Sequence, residues 1–408
     1  MTLVPRMLRW LRPRTLLVAG LAAACLLGGY ALGLRDAAGT GQLRPPAPAE
    51  LSAADQRAFG VVWETLTELE RDYYRRDQLN PDQLAAAAAR GMVAAVGDPY
   101  TTLSSPQQSE LTTAQLRGSF EGVGLELDRG TGQLRVVAAL ADSPAEKAGV
   151  RSGDAIVSVD GLDITALSLD EVASQIRGPR GTSVTLGLLR DGTTPLEVAL
   201  VRETIKVESV RSRLLPGAVP IAYVRIAVFS EPASQQLREQ LGQLLAQGSK
   251  AVVLDLRGNP GGYLTSAVDV TSDFVKDGVV LYQDRGGPQS ARQPYRTTGN
   301  PQAGDLPIAV LVDRGSASAA EIVAAALRDN QRAVLVGEKT FGKGTVQEIH
   351  KLSDDSQLHV TVAQWLTPTG HAVQGEGLLP DVEAPAVEGR DAALDAAVQY
   401  LLHGPANG

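Results

Sequence analysis

Cysteine is nearly absent. The single residue, Cys25, excludes an intrachain disulfide and any zinc site built on paired cysteines. Histidine is scarce: His350, His359, His371 and His403 are the whole set, and no HExxH sequence occurs. All four lie near the carboxyl end, so a Ser-His-Asp enzyme would have to draw its base from there. No metal site and no cofactor is expected. Aromatic residues make up only 4%, which argues against a protein that stacks nucleic-acid bases. Positive charge is in deficit, with 38 Lys and Arg against 46 Asp and Glu for a net −8. Arg6, Arg9, Arg12 and Arg14 sit in an amino-terminal arm without an acid, so the rest of the chain carries −12. Such a body repels a phosphate backbone, and no nucleic-acid partner is expected. Long apolar runs are missing with one exception, and a mean hydropathy of −0.04 excludes a multi-span membrane protein. The 408 residues are nonetheless 44% hydrophobic, enough for several cores and too much for disorder as the main state. At roughly 100–200 residues per domain, the length predicts about two to four domains.

The exception is TLLVAGLAAACLLGGYALGL, residues 15–34, which carries no charge. Twenty helical residues span about 30 Å, the thickness of a hydrocarbon core. The four preceding arginines keep the amino terminus cytoplasmic and send the rest outward. A retained single-span anchor and a cleaved signal peptide both fit, the latter through Ala31-Leu32-Gly33 as a cleavage site. Lipid modification at Cys25 is a third option. The expected location is therefore the cell envelope, on the extracytoplasmic (periplasmic) side, membrane-anchored or secreted after cleavage.

Residues 35–50 hold Gly39, Gly41, Pro45, Pro46 and Pro48 and form a linker. A helical region, 51–116, follows. From Ser52 to Tyr74 the apolar residues Phe59, Val62, Trp63, Leu66 and Leu69 recur at helical spacing. Asn80-Pro81-Asp82 opens a second helix that Gly97-Asp98-Pro99-Tyr100 ends. The pair is expected to be a packing or dimerisation hairpin without enzyme chemistry, and it leaves a homo-oligomer open.

Residues 117–203 change to short strands. GVGLEL at 122–127 precedes SPAEKAGVRSGDAIVSVDG at 143–161, and a helix is predicted from Leu169 to Ile176. These motifs resemble a PDZ domain, in which GVGLEL corresponds to the carboxylate-binding loop. The physics fits: successive N–H groups in a glycine-rich loop make a nest for a terminal carboxylate, and the following strand edge pairs with an extended peptide. Gly122, Val123, Gly124 and Leu125 are the expected peptide-binding residues.

Residues 204–408 alternate strands with helices, which predicts a mainly parallel sheet covered on both faces, with a carboxyl-terminal helix. Three segments there carry chemistry. LDLRGNPGG, 254–262, ends a buried strand in a glycine-rich loop whose N–H groups can face a developing oxyanion. DRGSASAAEI, 313–322, places a serine between a strand end and a helix start, where plain N-capping by Ser316 or Ser318 is the competing role. VGEKTFGKGTVQE, 336–348, nearly spells a phosphate-binding loop. Gly344 stands where that loop needs a hydroxyl, and a strand follows where it needs a helix.

Together the segments resemble the carboxyl-terminal processing (tail-specific) protease family of serine peptidases, over about residues 117–385. The resemblance implies a crotonase-like α/β protease core with an embedded PDZ domain, cleaving proteins near their carboxyl termini. It implies Ser318 as nucleophile, Lys343 as general base and Gln347 as the residue orienting the lysine. Oxyanion donors would be the Ala319 amide and an amide of Gly261 or Gly262. An arginine such as Arg177 would couple peptide binding to activity, although a helix-end cation facing the dipole accounts for it equally. Ala320 departs from the family pattern, in which another serine is common. The dyad also makes sense on its own terms. A neutral lysine can activate serine, burial favours the neutral amine, and Phe341, Gly342 and Gly344 beside it include no acid. The alternative is an inactive PDZ adaptor of the cell envelope, disfavoured by the intact Ser318, Lys343 and Gln347.

Overall fold

The computed structural model describes residues 52–128, 133–140, 142–165, 167, 169–287, 291–299 and 301–404. The segment 15–34 and Cys25 lie outside them. Among the described residues, no helix is long and apolar enough to cross a membrane. The chain divides into two compact units, Met1–Leu84 and Ala85–Gly408.

The first unit contains helix α1 (Ala53–Asp72), which starts where the Ser52 hydroxyl accepts the Asp55 N–H at 3.1 Å. None of its residues is buried, and Phe59, Val62 and Trp63 are exposed. Helix α2 (Pro81–Ala95) opens on proline at its first position, as the sequence predicts.

In the second unit, β1 (Thr102–Ser104) leads to α3 (Pro106–Arg117), which Ser105 caps and Gly118 ends with φ 64°. A β-rich module follows: β2 (Ser119–Gly122), β3 (Leu125–Asp128), β4 (Arg135–Ala139), α4 (Pro144–Lys147), β5 (Ala155–Val159), β6 (Leu162–Asp163), α5 (Leu169–Ile176), β7 (Ser183–Arg190) and β8 (Thr194–Val201). Alternate residues of β7, Val184, Leu186 and Leu188, point into its core beside Val136, Ile156 and Val172. The expected boundary at 203/204 cuts a strand. β9 (Glu203–Lys206) returns to pair antiparallel with β2, so residues 203–206 belong to this module's neck.

The remainder is built on a six-stranded sheet in the order β10 (Val210–Leu215), β11 (Ile221–Ile226), β12 (Ala251–Asp255), β15 (Ile308–Val312), β16 (Val334–Gly337) and β19 (Val382–Glu383). All neighbours are parallel except β10 with β11. The apolar runs alternate between two cores. Val252, Leu254 and Val310 meet α6 (Ala233–Ala246), α7 (Leu264–Ser272) and α8 (Ala319–Asp329). Val253, Ala309 and Leu311 meet α9 (Ala392–His403) on the other face. Both faces are thus covered, which is what a near-continuous apolar strand requires. A second, antiparallel sheet contains β13 (Val279–Asp284), β14 (Gln293–Arg296), β17 (Thr345–Lys351) and β18 (Gln357–Leu366), with β1 on its edge.

Candidate active site

β12 and β15 are parallel neighbours, so their following loops emerge side by side at the carboxyl end of the sheet. Hydrogen bonds lock the two loops together. Gly258 N–H donates to Asp313 Oδ1 at 2.8 Å, Ala317 N–H to the Asn259 carbonyl at 2.9 Å, and the Ser316 hydroxyl to the Leu256 carbonyl at 2.8 Å. Ser316 is therefore a buried strut. Asn259, fully buried, donates to the Ile226 carbonyl and accepts the Gly261 N–H, both at 2.8 Å. Gly261 has φ 106°, and a Cβ there would lie 2.8 Å from Ser318 Cβ, so no other residue fits this approach.

Ser318 stands at the N-terminus of α8 with φ 53° and ψ −115°, a conformation disfavoured for any residue with a Cβ. Its own N–H donates to Glu321 Oε2 at 2.9 Å, and its carbonyl accepts the Ile322 N–H. The Ala319 and Gly262 N–H groups donate to no described residue. Of the two glycines expected to offer an oxyanion amide, only Gly262 has its N–H open, because Asn259 holds that of Gly261.

Glu321 joins the serine to the lysine loop. It is fully buried. Beyond Ser318, it accepts the Thr340 hydroxyl at 2.5 Å, the Gly342 N–H at 2.8 Å and the Lys343 N–H at 2.9 Å. Sequence reasoning did not single it out, although Ser-x-x-Glu at a helix start is a recognisable capping pattern.

Lys343 is partly buried, and desolvation pushes its pKa below the usual lysine value. Its Nζ donates to Gln347 Oε1 at 3.0 Å. The Gln347 amide donates to the Tyr100 main-chain carbonyl. The Lys343 carbonyl accepts Trp365 Nε1–H at 3.0 Å. Phe341, two residues before the lysine, is 58% exposed and so contributes little to the lysine's burial. Ser318 and Lys343 line one cavity of about 220 Å³ with Leu116, Ile322, Val346 and Trp365. No hydrogen bond joins the lysine amine to the serine hydroxyl; the amine's partner is Gln347. His359, one of the four histidines, also lines this cavity. Its Nε2 is buried without a partner among the described residues, and burial together with the Lys343 charge lowers its pKa.

A second cavity, about 230 Å³, lies in the β-rich module. Gly122, Val123, Gly124 and Leu125 line it, facing Ile176 of α5 and Leu111 of α3. The Val123 and Gly124 N–H groups donate to no described residue. At Gly124, with φ 77°, a Cβ would meet that of Ser143 at 2.3 Å. Arg177 lies at the rim with its guanidinium 5.1 Å from the Phe120 ring centroid. The helix-end role falls to Arg202, which donates to the Ile176 and Gln175 carbonyls at 2.9 Å each.

Comparison with known proteins follows the same division. A profile of peptidase family S41 matches residues 220–384, and a PDZ domain profile matches 135–190. A carboxyl-terminal-processing protease of Synechocystis sp. is 39% identical over 81% of this chain and 78% of its own. The carboxy-terminal processing protease CtpA of Bacillus subtilis is 34% identical over 80% of this chain and 69% of its own. Among solved structures, a photosystem II D1 C-terminal processing protease is 32% identical over 80% of this chain and 88% of that chain, with a TM-score of 0.46.

Proposed function

We propose, for a chain that belongs to peptidase family S41 and is a serine peptidase with a PDZ domain, that Ser318 and Lys343 form its catalytic dyad and that it cleaves proteins near their carboxyl termini. The observation that carries this reading is a backbone-strained serine at a helix start, sharing one cavity with a desolvated lysine. The Ser318 hydroxyl attacks the scissile carbonyl carbon, and its proton passes to the neutral Lys343 amine. The oxygen of the tetrahedral intermediate accepts hydrogen bonds from the Gly262 and Ala319 amides. The C–N bond then breaks and the departing amine takes the lysine's proton. Water, deprotonated by the same lysine, attacks the acyl carbonyl carbon; the ester C–O bond breaks and the Ser318 oxygen takes the proton back from the lysine. Gln347 holds the lysine through its Oε1.

The lysine must be neutral, so kcat/KM should rise with pH through the lysine's lowered pKa. A pH–rate profile between pH 5 and 10 checks this, with folding followed in parallel. An activity already flat above about pH 6.5 would instead indicate a histidine base.

The PDZ groove is proposed to take the substrate's free carboxyl terminus on the Val123 and Gly124 amides and to gate the protease. Helix α3 supports gating, because Leu111 lines the PDZ groove while Leu116 lines the catalytic cavity. The Leu116 carbonyl also accepts the Glu231 N–H at 2.8 Å, tying that helix end to the protease core. Arg177 is the proposed coupling residue at the groove's rim. A non-cleavable peptide with a free apolar carboxyl terminus should stimulate cleavage of a second substrate lacking one, and its amidated form should not. Competition by both peptides would make the PDZ domain a tether only. The same reading places the enzyme on the extracytoplasmic side of a membrane, through residues 15–34, and admits a homo-oligomer through the exposed face of α1.

A further inference from the structure

We infer that Tyr100, from the segment before β1, is a positioning residue for the catalytic lysine, holding the ammonium form of Lys343 against its ring face. The inference rests on the Ser-Lys reading and deepens it. Lys343 Nζ lies 5.7 Å from the Tyr100 ring centroid, within the range in which a ring quadrupole attracts a cation. The same residue fixes the lysine's other partner: its main-chain carbonyl accepts the Gln347 amide, and Gln347 Oε1 accepts the lysine. The Tyr100 hydroxyl is itself held by Gln374 Nε2 at 3.2 Å. The turn beneath is set by Asp98, which accepts the Tyr100 N–H at 3.1 Å and the Thr101 hydroxyl at 2.7 Å. The turn before β1 and the lysine loop with β17 thus converge on one amine.

The chemistry explains why a ring is useful there. When Lys343 takes the serine's proton, a positive charge appears in a desolvated cavity. The carboxylate nearest in the hydrogen-bond network, Glu321, is engaged by four donors, including the lysine's own main-chain N–H. His359 on β18 adds no negative charge, and Asp98 is engaged by its own turn. The π face of Tyr100 offers partial negative charge without a competing base. It favours the ammonium in the transition state and opposes the effect of burial on the resting lysine.

The side chain can be tested separately because the Gln347 bond goes to the main chain. The probe is competitive acetylation with acetic anhydride, following the Lys343 peptide by mass spectrometry across pH. It is run in a Ser318→Ala background, where it reads lysine ionisation without turnover. Tyr100→Leu keeps the site dry but removes the π face. The labelling midpoint should fall by about half to one pH unit, while Tyr100→Phe keeps the midpoint. In the Ser318 enzyme, Tyr100→Leu should lower kcat by about tenfold or more with a smaller change in KM, and move the acid limb of kcat/KM down with the labelling midpoint. An unchanged or raised midpoint in a folded Tyr100→Leu protein overturns the inference, as does a Tyr100→Phe protein that shifts as far as the leucine variant. A midpoint that falls while the acid limb stays in place supports the Tyr100–Lys343 contact and contradicts lysine as the base.

Discussion

Ser318→Ala and Lys343→Ala are each expected to reduce peptide cleavage by about a thousandfold or more while the protein stays folded. The alanine at 318 removes the hydroxyl at the helix start, beside the open Ala319 amide, that shares the cavity with Lys343. The alanine at 343 removes the proposed base, and no other group is placed to replace it: His359 lacks a bond to Ser318, and Glu321 is engaged by four donors. The two losses should not multiply in the double variant, because both act on one proton transfer. Stability separates the pair. Burial lowers the lysine's pKa, so the folded state disfavours the charged amine. That penalty is present at neutral pH and relieved as pH rises from the folded towards the unfolded pKa. Lys343→Met removes it, and its Tm at neutral pH should equal or exceed that of the wild type. Circular dichroism melts beside steady-state assays check all four variants.

Glu321→Ala is expected to destabilise the fold by about 3–5 kcal/mol and to remove most activity even where the protein remains folded. The carboxylate accepts four hydrogen bonds in a fully buried position. Alanine leaves the Ser318, Gly342 and Lys343 N–H groups and the Thr340 hydroxyl without that acceptor. These donors fix the backbone on both sides of the proposed dyad, so their release is expected to separate serine from lysine. Glu321→Gln should fall between alanine and wild type, because its amide keeps one acceptor oxygen and turns N–H groups towards other donors. Denaturant unfolding and kcat at a temperature where each variant is folded are the measurements. A Glu321→Ala protein as stable and as active as the wild type would remove this carboxylate from the account.

The sequence revealed most where apolar periodicity and glycine chemistry act locally. β12, β15 and β16 read as buried strands because both of their faces are covered, leaving no polar alternation to confuse the pattern. α5 matched to the residue, Leu169 to Ile176, because its apolar positions fall at helical spacing. Edge elements were less legible. β10, β14 and β19 mix polar and apolar residues or are very short, and their identity comes from partners distant in sequence. α3 buries only Ser109, so it carries no apolar stripe to read, yet it spans the distance between the two cavities. The site divides the same way. Ser318, Lys343 and Gln347 were named through motif resemblance. The preference for the Gly262 over the Gly261 amide depends on where the Asn259 side chain points, and the wall around the lysine depends on long-range packing. Tyr100 and His359 reach the lysine only through the pairing of β1 and β17 with β18, which one sequence does not specify.

Capture of the acyl-enzyme separates a Ser318–Lys343 dyad from every other assignment. An activated peptide ester with a free apolar carboxyl terminus is mixed with enzyme, quenched in acid, and the adduct located by mass spectrometry of the digested protein. A single acyl adduct on Ser318 is predicted, forming in a burst whose rate rises with pH, absent from Ser318→Ala and strongly slowed in Lys343→Ala. An adduct on another residue, or undiminished acylation in either variant, would contradict a Ser318–Lys343 dyad.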